Sequence, residues 1–226
     1  MGEIIGRLKE LKTLRQLQIS DKSEFVALYG RRRVGKTFLV RTVCEDKFTF
    51  QVTGIANVTL QQQLGNFHSA LQRMDATVPN KIPTNWFKAF EQLILCLEKD
   101  KTQRKVLFMD ELPWFDTPKS SFIPALEHFW NSWASAQKDI LLIVCGSAAS
   151  WMINKLINNK GGLHNRVTKR LKIAPFTLQE CEQFLQSKNM VLDKYQIIQL
   201  YMVLGGIPFY WDDVDTGLSA AQNILK

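Results

Sequence analysis

The sequence predicts an α/β fold in which helices cover both faces of a parallel β-sheet. Residues 106–109 and 140–145 are continuous apolar runs without polar alternation, which is typical of strands covered on both sides. A third apolar run, residues 25–29, leads into a glycine-containing turn. Segments with helical spacing of apolar residues lie between these runs, so strands and helices alternate through the first 175 residues.

The remaining elements follow in chain order. Leucines at three-residue spacing over residues 7–18 predict an amphipathic helix ahead of the first strand. Residues 48–52 predict the second strand. A capping-box pattern at Thr59 opens a further helix, on whose surface we expect His68. Residues 171–174 predict a short fifth strand.

The pattern becomes helical after residue 175. A second capping box begins at Thr177 and predicts a helix that extends to about residue 188. Another helix, from about residue 194, is expected to stop at Gly205 and Gly206 through a left-handed glycine. The last fifty residues are therefore expected to be helical.

The turn after residues 25–29 carries a phosphate-binding pattern. Residues 30–37 read Gly-Arg-Arg-Arg-Val-Gly-Lys-Thr, the G-x-x-x-x-G-K-[ST] loop that holds nucleotide phosphates between a strand and a helix. Its glycines let backbone N–H groups point inward, Lys36 supplies a cation for the outer phosphates, and the Thr37 hydroxyl can bind Mg²⁺. The expected nucleotide contacts here are Gly30, Arg31, Arg32, Arg33, Val34, Gly35, Lys36, Thr37 and Phe38.

An acidic pair, Asp110 and Glu111, follows the apolar run 106–109. A carboxylate at the end of a strand is where a phosphate-loop protein steadies Mg²⁺, so we expect Asp110 in that role. Successive strand residues face opposite ways, and we expect Glu111 to point differently and to orient or deprotonate the attacking water. The alternative is a surface pair that only ends the strand.

Two further polar residues complete the expected catalytic set. Ser147 follows Gly146 at the end of an apolar run, so its hydroxyl can contact the γ-phosphate or the attacking water. A simple turn residue is the alternative. Arg166 precedes the fifth strand and can reach the γ-phosphate of a neighbouring subunit, where transition-state charge is spread over the oxygens. Arg170 competes for that role, and an arginine that faces solvent or nucleic acid is an equal alternative.

Composition limits the class of protein. The chain has 226 residues and a net charge of +8. Residues 151–172 contain six Lys or Arg and no acidic residue. This stretch fits either DNA or RNA phosphates, or a solvated face with a few residues directed at ATP. No apolar stretch approaches the ~18 residues of a membrane span, so no membrane partner is expected. The four cysteines form no C-x-x-C pair, which favours free thiols in a reducing cytoplasm.

Together these motifs resemble those of the AAA+-type P-loop ATPases of the STAND and archaeal-ATPase group. The matching segments follow that family's order along almost the whole chain. They are Ile5-Gly6-Arg7, Glu10-Leu11, residues 30–37, Asp110-Glu111, residues 145–148, Asn165-Arg166, Pro175-Phe176 and residues 205–208.

The resemblance implies a parallel sheet of order 5-1-4-3-2, an ATPase core over residues 1–175 and a small helical lid over residues 176–226. It implies ATP and Mg²⁺ as cofactors, with residues 30–37 as Walker A and the acidic pair as Walker B. Members of the family commonly continue into further domains. We therefore expect the chain to end before a C-terminal effector domain.

The resemblance also implies roles for single residues. Ile5, Arg7 and Pro208 correspond to residues that flank the adenine. Ser147 corresponds to the sensor-1 residue, and Arg166 to an arginine that acts on a neighbouring copy in a homo-oligomer. The lid segment lacks the sensor-2 arginine of typical AAA+ members, which argues against ring-type, processive action.

Two functions follow from the sequence. The first is an Mg²⁺-dependent ATPase that acts as a molecular switch, in which Glu111 activates water and lid closure alters an attached domain or partner. The second is an ATP-dependent DNA-binding module of the helicase-loader or origin-recognition kind, which the basic residues 151–172 favour. A GTPase is rejected because residues 159–162 lack the aspartate of a guanine-reading motif. A phosphotransferase is disfavoured because Glu111 would activate water.

Overall fold

The computed structural model describes residues 4–158, 161–163 and 165–226. Within these residues, the strands are β1 (Glu24–Tyr29), β2 (Phe50–Thr53), β3 (Lys105–Asp110), β4 (Ile140–Gly146) and β5 (Lys169–Lys172). They form one parallel sheet of order β2-β3-β4-β1-β5. This is the predicted order read from the opposite edge, so the predicted fold class and strand order are confirmed.

The α-helices of the described residues are α1 (Leu8–Gln18), α2 (Lys36–Val43), α3 (Leu60–Met74), α4 (Trp86–Lys99), α5 (Phe122–Ser132), α6 (Ala149–Trp151), α7 (Leu178–Ser187), α8 (Lys194–Leu204), α9 (Pro208–Trp211) and α10 (Ala220–Leu225). Short 3₁₀ turns cover Leu112–Phe115 and Ala134–Ala136, and a π-helical turn, Met152–Ile157, follows α6. Both predicted capping boxes form, at Thr59 and at Thr177. None of the described helices is long and apolar enough to cross a bilayer.

The sheet separates two apolar clusters, as its unalternating strands predict. Phe25 and Ala27 of β1 face the cluster that contains α3, α4 and α5. Val26 and Leu28 face the opposite cluster, which contains α1 and α2. Each face of β1 is therefore covered by helices, and the phosphate loop that follows Tyr29 starts from a fully packed strand.

A third apolar cluster lies within residues 176–226, which we call the lid segment. Trp211 is fully buried in this cluster. The backbone N–H of Phe176 donates to the carbonyl of Gly206 at 2.6 Å, and the Tyr201 hydroxyl donates to the Phe176 carbonyl at 3.1 Å. These bonds join the beginning of the lid segment to the turn after α8.

Two strand boundaries differ from the predicted ones. The second strand is Phe50–Thr53, because Phe48 lies outside the ladder and stacks its ring on Phe108 at a centroid distance of 5.2 Å. The fifth strand is Lys169–Lys172, two residues earlier than predicted. It is an edge strand, and edge strands accept charged residues that hide them from an apolar-pattern reading.

Two further local expectations are corrected. His68 is only 3% exposed, since it shares the covered side of α3 with Phe67 and Leu71. Helix α8 ends at a glycine with positive φ, as predicted, but the backbone of this glycine is not in the left-handed helical region. Gly205 has φ 60° and ψ −165°, a region that is essentially limited to glycine.

We expect Gly206→Ala to destabilise the protein. A Cβ at this position would lie 1.9 Å from the Phe176 carbonyl oxygen, so backbone must shift. Overpacking of this kind costs about 1–3 kcal/mol, which thermal unfolding would record. Gly65→Ala in α3 is the matched control. Its Cβ would meet Ile82 at 3.8 Å, an ordinary contact, and alanine favours the helix by about 1 kcal/mol. A Gly206→Ala protein as stable as the wild type would contradict this packing.

Candidate nucleotide site

A cavity of about 660 Å³ lies between the phosphate loop (residues 30–37) and the lid segment. Its volume is in the range of small-molecule sites. The predicted site residues on its wall are Ile5, Arg7, Arg33, Val34, Gly35, Lys36, Thr37, Phe38, Glu111 and Pro208. The residues on its wall that sequence reasoning missed are Ile4, Leu39, Phe176, Phe184, Ser187, Lys188, Phe209 and Asp212.

The phosphate loop is open toward this cavity. Gly35, the residue before α2, has φ 88°, and a Cβ built on it would meet nothing within 4 Å. At the other end of the loop, a Cβ on Gly30 would lie 2.2 Å from the Ile173 carbonyl oxygen. The first glycine is therefore required by the close approach of the chain after β5, and the second leaves an empty concave surface that a phosphate group fits.

Lys36 lies at the mouth of the loop and is only 6% exposed. Its Nζ donates to the carbonyl oxygens of Gly30 at 3.1 Å and Arg31 at 3.0 Å. Burial lowers the pKa of Lys36, while the negative charge of Glu111 acts in the opposite direction. The ammonium is thus held by neutral carbonyls, which are weaker partners than the anionic oxygens of a phosphate.

Thr37 and Asp110 form the part of the site that fits Mg²⁺. The Thr37 hydroxyl donates to Asp110 Oδ2 at 2.7 Å. Burial raises the pKa of Asp110, while this hydrogen bond lowers it. Mg²⁺ prefers hard oxygen ligands and commonly takes one or two carboxylates together with substrate phosphates. The hydroxyl of Thr37 and the carboxylate of Asp110 therefore fit a Mg²⁺ that takes its other ligands from nucleotide phosphates and water.

Glu111 does not continue β3, contrary to the expectation that it faces away from Asp110 as the next strand residue. The strand ends at Asp110, and Glu111 adopts a left-handed conformation with φ 48°. Its backbone N–H donates to Asp110 Oδ1 at 2.9 Å, and its carbonyl accepts from the Trp114 N–H at 3.0 Å. This turn directs Glu111 to the cavity wall.

Ser147 contacts Glu111 rather than the cavity. Its hydroxyl donates to Glu111 Oε2 at 2.9 Å, and its backbone N–H lies 3.4 Å from the same oxygen. A Cβ on Gly146 would lie 2.6 Å from the Met152 sulfur, so the glycine lets the π-helical turn pack against the end of β4. The end of β4 therefore holds the carboxylate of Glu111 in place.

Arg7 connects the phosphate loop to the lid segment. Its Nη2 donates to the Val34 carbonyl at 3.2 Å, and its guanidinium carbon lies 5.1 Å from the Phe176 ring centroid. Burial lowers the pKa of Arg7, and the charge of Glu180 raises it. Arg7 itself has φ 59° and stands immediately before α1. The Arg7 side chain therefore connects the segment before α1 to both the phosphate loop and the start of the lid segment.

Several predicted site residues lie outside the cavity wall. Arg31 and Arg32 are exposed and are not among the residues of the cavity wall. Arg166 is also exposed and precedes β5, whereas the phosphate loop follows the carboxyl end of β1. Because β5 runs parallel to β1, Arg166 lies toward the opposite end of the sheet. Lys160, part of the basic stretch, falls outside the described residues.

The missed wall residues belong mainly to the lid segment. Phe184 and Ser187 of α7 are three residues apart, and Lys188 directly follows the helix, so the three side chains lie on one side. Their spacing is visible in the sequence, but an apolar stripe at this spacing also describes an ordinary core face. Only the position of α7 on the wall of the cavity distinguishes the two.

Comparison with known proteins identifies the kind of domain. Residues 4–214 match a family of ATPase domains predominantly from Archaea. An uncharacterized protein of Methanocaldococcus jannaschii is 24% identical over 230 residues, a match that covers 98% of this chain and 48% of that protein. The chain therefore spans about half the length of this relative.

Two solved structures share the fold. A Walker-type ATPase of Pyrococcus abyssi superposes with a TM-score of 0.67 at 18% identity, covering 93% of this chain and 66% of that one. The ORC2 protein of Aeropyrum pernix, in ADPNP–ADP complexes, superposes with a TM-score of 0.63 at 14% identity, covering 93% of this chain and 61% of that one. At these identities the similarity shows the fold.

We expect Lys36→Met to stabilise the ligand-free protein by about 1 kcal/mol, because a functional charge is buried at a cost in stability. Methionine keeps an unbranched stem in the same space. Since burial lowers the pKa of Lys36, wild-type stability rises with pH between that lowered pKa and the ordinary lysine value. The advantage of methionine should therefore shrink at alkaline pH.

Thermal unfolding at neutral and alkaline pH measures this difference. Lys12→Met, at an exposed position on α1, is the matched control and should change the unfolding temperature little. A Lys36→Met protein less stable than the wild type at neutral pH would show that the bonds to Gly30 and Arg31 outweigh the cost of burial.

Proposed function

Because the chain belongs to the family of ATPase domains found predominantly in Archaea, we propose that it is an Mg²⁺-dependent ATPase that works as a molecular switch. One observation carries the proposal. Thr37, Asp110, Glu111 and Ser147 form a continuous chain of hydrogen bonds at the phosphate loop. It joins Thr37 and Asp110, which we propose as Mg²⁺ ligands, to the Glu111 carboxylate. Among the described residues no cation lies within 4.0 Å of that carboxylate.

The phosphate loop and the lid segment divide the binding of ATP between them. The backbone N–H groups before α2 and the helix's positive end attract the phosphates, and Lys36 exchanges its carbonyl partners for phosphate oxygens. Ile5 and Pro208, together with Phe176 and Phe209, supply an apolar wall for the base. Mg²⁺, when bound, would neutralise charge on the phosphates and so favour the attack of water on the terminal phosphate.

Glu111 is the general base of the proposed reaction. Its carboxylate accepts the proton of a water that lies between it and the terminal phosphate. Ser147 is a positioning residue, because its hydroxyl holds one carboxylate oxygen of Glu111 and leaves the other for water. Asp110 orients the same turn through the Glu111 N–H. The base is thus held by two neighbouring strand ends.

The switch rests on the connection between core and lid. We take residues 1–175 as the ATPase core and residues 176–226 as the lid, with the cavity between them. Arg7 bonds to Val34 in the phosphate loop and contacts Phe176 at the start of the lid. A change of the loop on binding or hydrolysis therefore reaches the lid, and through it an attached domain or partner protein.

Arg166 acts on a neighbouring copy in this proposal. It lies toward the far end of the sheet from its own cavity and is exposed to solvent. A guanidinium supplied in trans stabilises charge on the transferring phosphoryl group. Turnover in this scheme depends on assembly, while binding does not.

A DNA-loading role is the second hypothesis from the sequence. Lys169, Arg170 and Lys172 are exposed on β5, where they are available to DNA phosphates. Charged side chains on an edge strand also prevent pairing with strands of other molecules. Edge protection accounts for these residues without a nucleic acid, so the ATP-driven switch stands as the proposal.

We expect Glu111→Gln to lower the rate of phosphate release from Mg²⁺-ATP by about 100-fold or more, the contribution of a positioned general base. Nucleotide affinity should be retained, because glutamine keeps the size of the side chain. Ser147→Ala should have a smaller effect, since the carboxylate remains. Glu91→Gln is the matched control, because Glu91 is exposed on α4 and pairs with Lys88 at 2.9 Å. Unchanged turnover in Glu111→Gln would contradict its role as the base.

The same assay over a range of protein concentrations tests the role of Arg166. Specific activity should rise with concentration in the wild type and stay flat in Arg166→Ala. Equal concentration dependence in the two proteins would show that Arg166 does not act in trans.

A further inference from the structure

Arg33, the fourth residue of the phosphate loop, has an unusual backbone conformation. Its backbone φ is 66°, in the left-handed region that residues other than glycine rarely adopt. A side chain kept at such a position points to a function for that side chain. The loop contains two glycines that lack this constraint, so the arginine at this position is the residue that requires an explanation.

The Arg33 side chain extends from the phosphate loop to the lid segment. Its guanidinium carbon lies 4.3 Å from the Phe209 ring centroid and 5.6 Å from that of Tyr210. Its Nη1 donates to the Tyr210 hydroxyl at 3.4 Å. Both aromatic residues belong to α9, which also forms part of the cavity wall. A cation of the phosphate loop therefore rests on two rings of the lid segment.

The charge of Arg33 is available to a ligand. Among the described residues no carboxylate lies within 4.0 Å of it, and the long bond to Tyr210 uses one of five N–H donors. The other cations on the cavity wall are more firmly held. Arg7 and Lys36 bond to backbone carbonyls, and Lys188 pairs with Asp212 at 2.6 Å. Arg33 is also the exposed one of the two arginines that bridge loop and lid.

We propose that Arg33 senses the terminal phosphate by alternating between two partners, the rings of α9 and a bound nucleoside triphosphate. The proposal rests on the proposed function above. Residues 176–226 contain no arginine, so an arginine of the same chain that contacts the terminal phosphate lies outside the lid segment, and Arg33 is on the cavity wall. A planar guanidinium matches phosphate oxygens, which are stronger partners than aromatic faces. When Arg33 moves to the phosphate, α9 loses the contacts that the Arg33 side chain makes with Phe209 and Tyr210.

This exchange predicts a specific linkage. The rings stabilise the orientation of Arg33 that does not contact phosphate, so they compete with the triphosphate for the same side chain. A diphosphate lacks the terminal group and does not enter the competition. Removal of the aromatic face should therefore strengthen triphosphate binding relative to diphosphate binding, and only while Arg33 is present.

Isothermal titration of the full chain with ADP and with ADPNP, a triphosphate that resists hydrolysis, tests this in the presence of Mg²⁺. We expect Arg33→Ala to weaken ADPNP binding about tenfold, the effect of one charge-assisted contact, and to change ADP binding less than about twofold. Phe209→Leu should raise the ratio of ADPNP to ADP affinity by about two- to fivefold. In the Arg33→Ala background, Phe209→Leu should leave that ratio unchanged.

Because ADP and ADPNP share the same adenine, any effect of a substitution on adenine binding cancels in the ratio of their affinities. Arg33→Lys keeps the charge but not the planar fork and should retain part of the ADPNP preference. Arg15→Ala, an equal charge change at an exposed position of α1, should leave the ratio at its wild-type value. Equal weakening of ADP and ADPNP in Arg33→Ala would overturn the proposal. An effect of Phe209→Leu on the ratio that persists without Arg33 would also overturn it.

Lys36→Ala separates this proposal from the proposed function. Loss of both nucleotides in Lys36→Ala supports the site itself, whatever Arg33 does. Normal binding in Lys36→Ala, or no binding of either nucleotide by the wild type, would overturn the site and the role of Arg33 together. A wild type that binds both nucleotides, with an unchanged ratio in Arg33→Ala, would overturn only the sensing role.

Discussion

The hydrogen bond between Thr37 and Asp110 is the interaction on which the rest of the site depends. Thr37 belongs to the first turn of the helix after β1, and Asp110 ends β3, which is not a neighbour of β1 in the sheet. The 2.7 Å bond therefore crosses the end of β4. It aligns Asp110, which in turn accepts the Glu111 N–H, and Ser147 at the end of β4 then holds the Glu111 carboxylate. Thr37 thus helps to position Asp110, Asp110 positions the Glu111 backbone, and Ser147 positions the Glu111 carboxylate.

This arrangement keeps charged groups where burial disfavours their charge. Burial raises the pKa of Asp110 and lowers the pKa of Lys36, so both ions are less stable in the fold than in water. The two apolar clusters on the faces of the sheet offset that cost, since they bury most of β1, β3 and β4. We expect a charged ligand that supplies counter-charges to Asp110 and Lys36 to recover part of this cost in stability when it binds.

Local sequence patterns were sufficient for some parts of the structure and not for others. The fully covered strands β3 and β4 and the capping boxes at Thr59 and Thr177 were predictable, because each depends on neighbouring residues. The position of the Glu111 carboxylate was not, since the hydroxyl that holds it belongs to Ser147, at the end of another strand. The edge strand β5 is mostly exposed and carries charged residues, so it lacks an apolar pattern that the sequence could show. The lid wall of the cavity depends on packing between segments, and the sequence shows only its helical periodicity.

If Thr37 and Asp110 form the Mg²⁺ site, Mg²⁺ joins a nucleotide to this pair. Titration of ATP into the wild type and into Thr37→Val, each with and without Mg²⁺, measures that coupling. Valine keeps the shape of threonine but removes the hydroxyl, and Thr37→Ser restores a hydroxyl. We expect Mg²⁺ to strengthen ATP binding in the wild type and in Thr37→Ser, and to have little effect in Thr37→Val. Equal Mg²⁺ dependence in all three proteins would show that the Thr37 hydroxyl is not part of a Mg²⁺ site.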